Sequence, residues 1–210
     1  MKKTRINSVR YQQQASTISQ PFNKFRQHRR YAAGRSKAAP LLKALVAQGE
    51  VVLSFFKKKP KLNNEANQDL SLMLFDNPSD PVLGHGFFNE KSMDFSVESL
   101  NILDEYLESL RSELPENEEL VKITLRAGSY IGEVVRKNST IQYNWLEFKE
   151  AERLNSQIKG LGFGLGTAAI LWAEPDNFIF PLAKVLKRLE NGSEDNVHFF
   201  ATVAIDGLPK

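Results

Sequence analysis

The charged residues of this chain are divided at about residue 60. Residues 1–60 hold fourteen of the 28 lysines and arginines but a single acid, Glu50, which gives them a net charge of +13. The remaining 150 residues hold fourteen bases and 24 acids, a net charge of −10, and the two parts sum to +3. A basic arm is thus joined to an acidic body, and an asymmetry of this kind is evidence about partners.

The apolar residues follow the same division, which limits where a core can form. Residues 1–37 are rich in Gln, Asn, Ser, Arg and Lys, and low hydrophobicity with high net charge does not support a core. From about residue 70 the apolar residues recur with clear periods, and the hydrophobic fraction of 41% is typical of a globular protein. We therefore predict a basic arm over residues 1–60, a polar linker over residues 61–69 and a folded domain over residues 70–210.

The sequence contains no cysteine, which excludes disulfides, thiolate metal sites and cysteine nucleophiles. Residues 6–37 are polar and basic and do not form the apolar region of a secretory signal, although an organelle transit peptide has a similar composition. The long apolar stretch at residues 38–56 is interrupted by Lys43, Gln48 and Glu50, so we predict no transmembrane segment. These features together predict a cytoplasmic protein.

Aromatic residues lie among the bases of the arm, most densely in residues 22–31. Bases neutralise phosphates and aromatic rings stack on exposed nucleobases, so this mixture suits single-stranded nucleic acid. It also suits an anionic lipid surface or an acidic protein, and a solvated tail without a partner is the simplest alternative. The candidate residues for binding an anionic partner are Lys24, Arg26, Arg29, Arg30, Arg35 and Lys37.

Residues 36–59 have the spacing of an amphipathic helix, which ends in three lysines and Pro60. Its apolar stripe must be covered by the domain itself, by a partner protein or by a membrane interface. Peripheral membrane contact through residues 36–59 is therefore one alternative. The stripe comprises Leu41, Leu42, Leu45, Val46, Val52, Phe55 and Phe56.

The domain begins with two predicted helices. The first follows Ser96, a good N-cap, and its leucines share one face while Asp104, Glu105 and Glu108 lie on a face that we expect to be solvated. The second is predicted over residues 118–138.

Two features of this second helix allow specific predictions. Gly128 and Gly132 lie four residues apart beside its apolar stripe, and because glycine costs a helix about 1 kcal/mol relative to alanine, the pair indicates that another element approaches closely. On the opposite face we place Arg126, and we expect Glu133 and Lys137 to form a solvated ion pair.

The periodicity changes after residue 138. We predict strands at residues 140–148 and 167–172, separated by the glycine-rich residues 160–166, and a third helix from Pro181 to about Gly192. The β-branched residues at 197–205 slightly favour a final strand over a helix. The predicted fold is therefore α+β, with helices packed on a small antiparallel sheet.

Several segments, in order, resemble one bacterial domain family that has no assigned reaction. They are F-S-V-E-S-L at residues 95–100, G-S-Y-I-G-E-V-V-R at 128–136, Trp145, and K-R-L-E-N-G at 187–192. The resemblance covers residues 90–205, but the family has a glycine-rich turn where residues 138–140 read Asn-Ser-Thr. It implies a bacterial cytoplasmic protein and supplies no catalytic residues; comparison with small immunity-type binders is an analogy only.

We find no catalytic, cofactor or metal motif that is specific enough to assign. Residues 164–169 fit a loose G-x-G-x-x-A phosphate pattern, but no long helix is predicted to follow them. Glu147 and Lys149 resemble part of a metal-dependent nuclease site, which needs another acid on a neighbouring strand. We therefore predict a non-catalytic interaction module that docks by its arm onto an anionic protein, for example a toxin that it neutralises. Nucleic-acid binding is the alternative, and a metal-dependent nuclease is a further alternative.

Overall fold

The computed structural model describes residues 59–88 and 91–206. Helices dominate this part of the chain, and short 3-10 helices join several of them. The α-helices are α1 (Asn64–Leu72), α2 (Ser99–Ser109), α3 (Asn117–Asn138), α4 (Phe148–Leu154), α5 (Pro181–Asn191) and α6 (Val197–Asp206). The strands are β1 (Asn144–Glu147), β2 (Ala169–Ala173) and β3 (Asn177–Ile179). The predicted α+β fold is confirmed, whereas the predicted arm helix lies outside the described residues.

The three strands form one antiparallel sheet in the order β1-β2-β3. Trp145 of β1 lies opposite Leu171 of β2, which in turn lies opposite Ile179 of β3. Both faces of the sheet are covered, which agrees with the fully buried pattern of β2. Trp145 and Leu171 join the main core with α2, α3, α5 and α6, while Leu146 and Trp172 join a smaller core with α4.

The helix α3 is central to the domain, because α1, α5 and α6 all pack against it. Its glycines provide the close approaches that the sequence predicts. A Cβ atom added to Gly128 would lie 2.8 Å from Cδ1 of Leu182 in α5, and one added to Gly132 would overlap the ring of Trp145 in β1. These two positions therefore set how closely α5 and the sheet approach α3.

Two predictions for segments of the domain are wrong. Most of residues 61–69, predicted as a linker, belong to α1, where Asn67 is buried and its Oδ1 accepts a hydrogen bond of 3.1 Å from Ser129 of α3. The segment 197–205, for which a strand was favoured, lies within α6. In both cases tertiary contacts outweigh a weak local preference, since propensity alone differs by little between these states.

The described residues include no helix that is long and apolar enough to cross a membrane.

We predict that Gly132→Ala destabilises the domain, because the added methyl group overlaps Trp145 in a packed core. Overpacking of this kind costs about 1–3 kcal/mol, and alanine's better helix propensity offsets only part of it. Urea unfolding followed by circular dichroism measures the change. Gly160→Ala is the matched control, because a Cβ atom there meets no atom within 4 Å. Equal unfolding free energies for the two variants would contradict the close approach.

Candidate binding groove

An open, mainly apolar groove lies between the β2–β3 turn and the helix α6, and it has a volume of about 750 Å³. The turn contributes Pro175, Asp176 and Asn177, with a cis peptide bond between Glu174 and Pro175. Pockets of this size and character are typical of ligand and peptide sites. The apolar lining consists of Phe178, Ile179, Phe199, Phe200 and Val203.

Tyr143 ties the two walls of the groove together. Its hydroxyl accepts a hydrogen bond of 2.7 Å from the side-chain amide of Asn177 and donates one of 3.3 Å to the carbonyl of Ala204 in α6. Burial raises the pKa of this hydroxyl, although the bond from Asn177 opposes that effect. Tyr143 therefore remains neutral at ordinary pH and connects the turn to α6 as a hydrogen-bonding bridge.

Lys184 of α5 supplies a cation to the groove. Its ammonium group lies 2.8 Å from the carboxylate of Asp195 and 5.8 Å from the centroid of the Phe200 ring. Burial opposes ionisation of Asp195, but hydrogen bonds from Asn191 and Lys184 outweigh it and lower its pKa. Because an ammonium group has three N–H donors, Lys184 can keep this pair and also donate to a bound carboxylate.

The carboxylate of Asp104 positions α6, the helix that carries Phe199 and Phe200. It accepts hydrogen bonds of 3.0 and 3.1 Å from the backbone of Val197 and one of 3.0 Å from His198. The first N–H groups of a helix have no partner within it, and a carboxylate there is also favoured by the helix dipole. Asp104 thus fixes the start of α6 from a different helix.

Arg188 of α5 neutralises Asp104. Its Nε donates to Oδ1 of Asp104 at 2.8 Å, and its Nη1 donates to Glu108 at 2.6 Å. The Arg111 guanidinium and then that of Arg188 hold the pKa of Glu108 below its usual value. The expectation of a solvated acidic face on α2 is therefore wrong for Asp104, which is buried, although Glu105 is exposed.

The expected solvated pair between Glu133 and Lys137 is also wrong. Glu133 is buried, and its Oε1 accepts hydrogen bonds from the Trp145 indole at 2.8 Å and from Arg136 at 2.6 Å. Lys137 instead lies 3.3 Å from the centroid of the Phe95 ring. The sequence could not show this, because the partner on β1 is twelve residues away and on another element.

Arg126 likewise does not lie on a solvated face. It is buried, and its guanidinium donates to the Met73 carbonyl at 3.2 Å and to the Asp80 carboxylate at 2.6 Å. Hydrogen bonds from Lys122 and Arg126 lower the pKa of Asp80. This cluster fixes the connection between α1 and α2.

The other sequence candidates have simple structural settings or lie outside the described residues. Glu147 is exposed at the end of β1, and its partner on β2 is Ala169 rather than a second acid. Residues 164–169 lead through the short 3-10 helix Leu165–Thr167 into β2. No cluster of at least three His, Asp or Glu side chains that could hold a metal ion occurs in residues 59–88 and 91–206. The candidate arm residues, Lys24, Arg26, Arg29, Arg30, Arg35 and Lys37, lie outside the described part of the chain.

No family model, curated protein or solved structure matches this chain. The groove residues themselves were not singled out from the sequence. The sequence does contain a signal for them, the adjacent pair Phe199 and Phe200, and in the structure Phe199 is 67% exposed. The expectation of a strand hid this signal, because the alternating side chains of a strand would place one of the two rings in the core.

We predict that Asp104→Asn destabilises the domain by about 1–3 kcal/mol, because it removes the buried counter-charge of Arg188, which keeps only the more exposed Glu108, and weakens the hydrogen bonds to the start of α6. Glu105→Gln is the control, since Glu105 is an exposed acid on the same helix. Urea unfolding measures both variants. Comparable stabilities for the two would mean that the buried pair does not hold α6.

We predict an acid-dependent contribution from Asp195. Because the pKa of its carboxyl is lower in the folded than in the unfolded state, its stabilisation is complete above the ordinary aspartate range and is lost as pH falls through the folded-state value. The difference in unfolding free energy between the wild type and Asp195→Asn should therefore shrink on acidification. A difference that is constant with pH would contradict this.

Proposed function

We propose that this protein is a non-catalytic binding module that captures an acidic segment of a partner protein. The observation that carries the proposal is the groove, where the exposed Phe199 and several partly buried apolar side chains line the same surface as the ammonium group of Lys184. Apolar anchors of a partner would fill the groove, and a carboxylate beside them would accept hydrogen bonds from Lys184.

The basic arm supports the same kind of partner. Its charge of +13 over residues 1–60 would attract an acidic protein and accelerate association, while the groove would supply affinity for apolar side chains. A module of this kind could act by occluding its partner, as in the neutralisation of a toxin. We also propose a bacterial, cytoplasmic setting, which is supported by the family resemblance of residues 90–205 and by the absence of cysteine.

Nucleic-acid binding is the second candidate, and a different observation favours it. Residues 22–31 interleave aromatic rings with bases, a composition that suits single-stranded nucleic acid. In this case the arm alone would carry the affinity, and the groove would not contribute.

A binding experiment separates the two candidates. The probes are a fluorescent random copolymer of glutamate and tyrosine and a fluorescent single-stranded DNA of mixed sequence, titrated at low and physiological salt with the full chain. We compare the wild type, Phe199→Ser, and a variant in which all six candidate arm residues are glutamine.

We expect the copolymer to bind the wild type, with an affinity that falls steeply with salt and falls at least about tenfold in each variant. Copolymer binding that neither variant changes would contradict the proposal. Tighter binding of DNA that is lost in the arm variant and unchanged in Phe199→Ser would instead support the nucleic-acid candidate.

A further inference from the structure

A second exposed apolar feature lies on the glycine-rich residues 160–166, which we name the glycine loop. Leu161 is 51% exposed and Phe163 is 76% exposed. The Phe163 ring makes a T-shaped contact with the Phe148 ring, with ring centroids 5.8 Å apart. Single exposed apolar residues are ordinary on a protein surface, but two large ones at the tip of one loop indicate a contact surface.

Packing does not explain the glycines at the two sides of this tip. A Cβ atom added to Gly160 or Gly164 would meet no atom within 4 Å, whereas Gly162 has a φ of +73°, which favours glycine. Thr167 stabilises the loop through two hydrogen bonds of its hydroxyl, which donates to the carbonyl of Gly162 at 2.9 Å and accepts from the N–H of Gly164 at 2.9 Å. The result is a narrow, anchored loop that presents two apolar side chains to solvent.

Two exposed lysines lie next to the glycine loop or next to the residue that it contacts. Lys159 precedes it and is exposed, and Lys149 is exposed beside Phe148, the residue that Phe163 contacts. The backbone N–H of Lys61 donates to Glu150 at 3.2 Å, which places Lys61 beside α4.

The net charge near the loop is positive. Residues 147–163 contain three acids and three bases, which cancel, while the described residues 59–61 contribute two lysines and no acid. The tip, α4 and the described residues 59–61 beside α4 therefore carry a net charge of +2. An anionic lipid surface complements both features, because it accepts apolar side chains at the headgroup boundary and attracts nearby lysines without requiring a defined geometry.

We propose that the glycine loop inserts Leu161 and Phe163 into the interface of an anionic lipid bilayer. This contact attaches the domain to the membrane surface without crossing the bilayer. It is independent of the groove and of the proposed protein partner. It also differs from the membrane contact predicted for residues 36–59, because it depends on side chains of the folded domain.

The first test is vesicle flotation of the full-length protein. The vesicles contain phosphatidylcholine, with or without phosphatidylserine. We expect the wild type to float only with the phosphatidylserine vesicles, and the double variant Leu161→Ser with Phe163→Ser to bind them at least about tenfold more weakly. Phe199→Ser is the matched control, because it removes a phenylalanine that is 67% exposed elsewhere on the domain, and it should float like the wild type.

A second test reports the position of the loop directly. The two native tryptophans, Trp145 and Trp172, are buried and out of reach of a bilayer. In a Phe163→Trp variant, a change of fluorescence on adding vesicles therefore reports on the loop. We expect a blue shift of its emission with phosphatidylserine vesicles. A full-length variant with Phe55→Ser and Phe56→Ser should retain this binding if the loop is the contact.

Three results would overturn the proposal: no flotation of the wild type, undiminished flotation of the loop variant, or unchanged Phe163→Trp emission with bound vesicles. The same variants are titrated with the glutamate–tyrosine copolymer. A loop variant that binds no vesicles but keeps wild-type copolymer affinity retains its fold and leaves the proposed function intact. Loss of copolymer binding in that variant, without flotation of the wild type, would assign the loop to a protein contact instead.

Discussion

The position of α6, and of the groove beside it, depends on the carboxylate of Asp104. This carboxylate lies on α2, is neutralised by Arg188 of α5 and caps the backbone of α6, so one buried group joins three helices. A buried ion pair is weak evidence for net stability, because desolvation costs nearly as much as the charges gain. Its value here is geometric, since the start of α6 determines where Phe199 and Phe200 lie.

The domain separates its structural polar groups from its exposed apolar ones. Glu133 and Arg126 are buried and each is satisfied by several partners, so they orient β1 and the connection between α1 and α2. Phe199 of the groove and Leu161 and Phe163 of the glycine loop, in contrast, are exposed. This separation is typical of proteins that bind other molecules through exposed apolar side chains.

Much of the architecture followed from the sequence, because local signals and tertiary structure agreed there. Some features can be interpreted without knowing which element packs against them. They are the apolar stripe of α3, the glycines at 128 and 132, and the proline and glycine that bound α5. The predictions failed mainly for charged side chains that the fold buries. Asp104 and Glu133 look like exposed helix residues until Arg188 and Trp145, distant in sequence, are brought against them.

The way the chain enters the domain has a consequence for its solubility. The N–H of Asn63 donates to the carbonyl of Trp145 at 2.8 Å, and Leu62 forms an isolated bridge with Leu146, so residues 62–63 cover the outer edge of β1. An uncovered edge strand is a template for strands of other molecules. Residues 62–63 therefore prevent the edge of β1 from pairing with a strand of another molecule. A fragment that begins after Asn64 would lose this protection against aggregation.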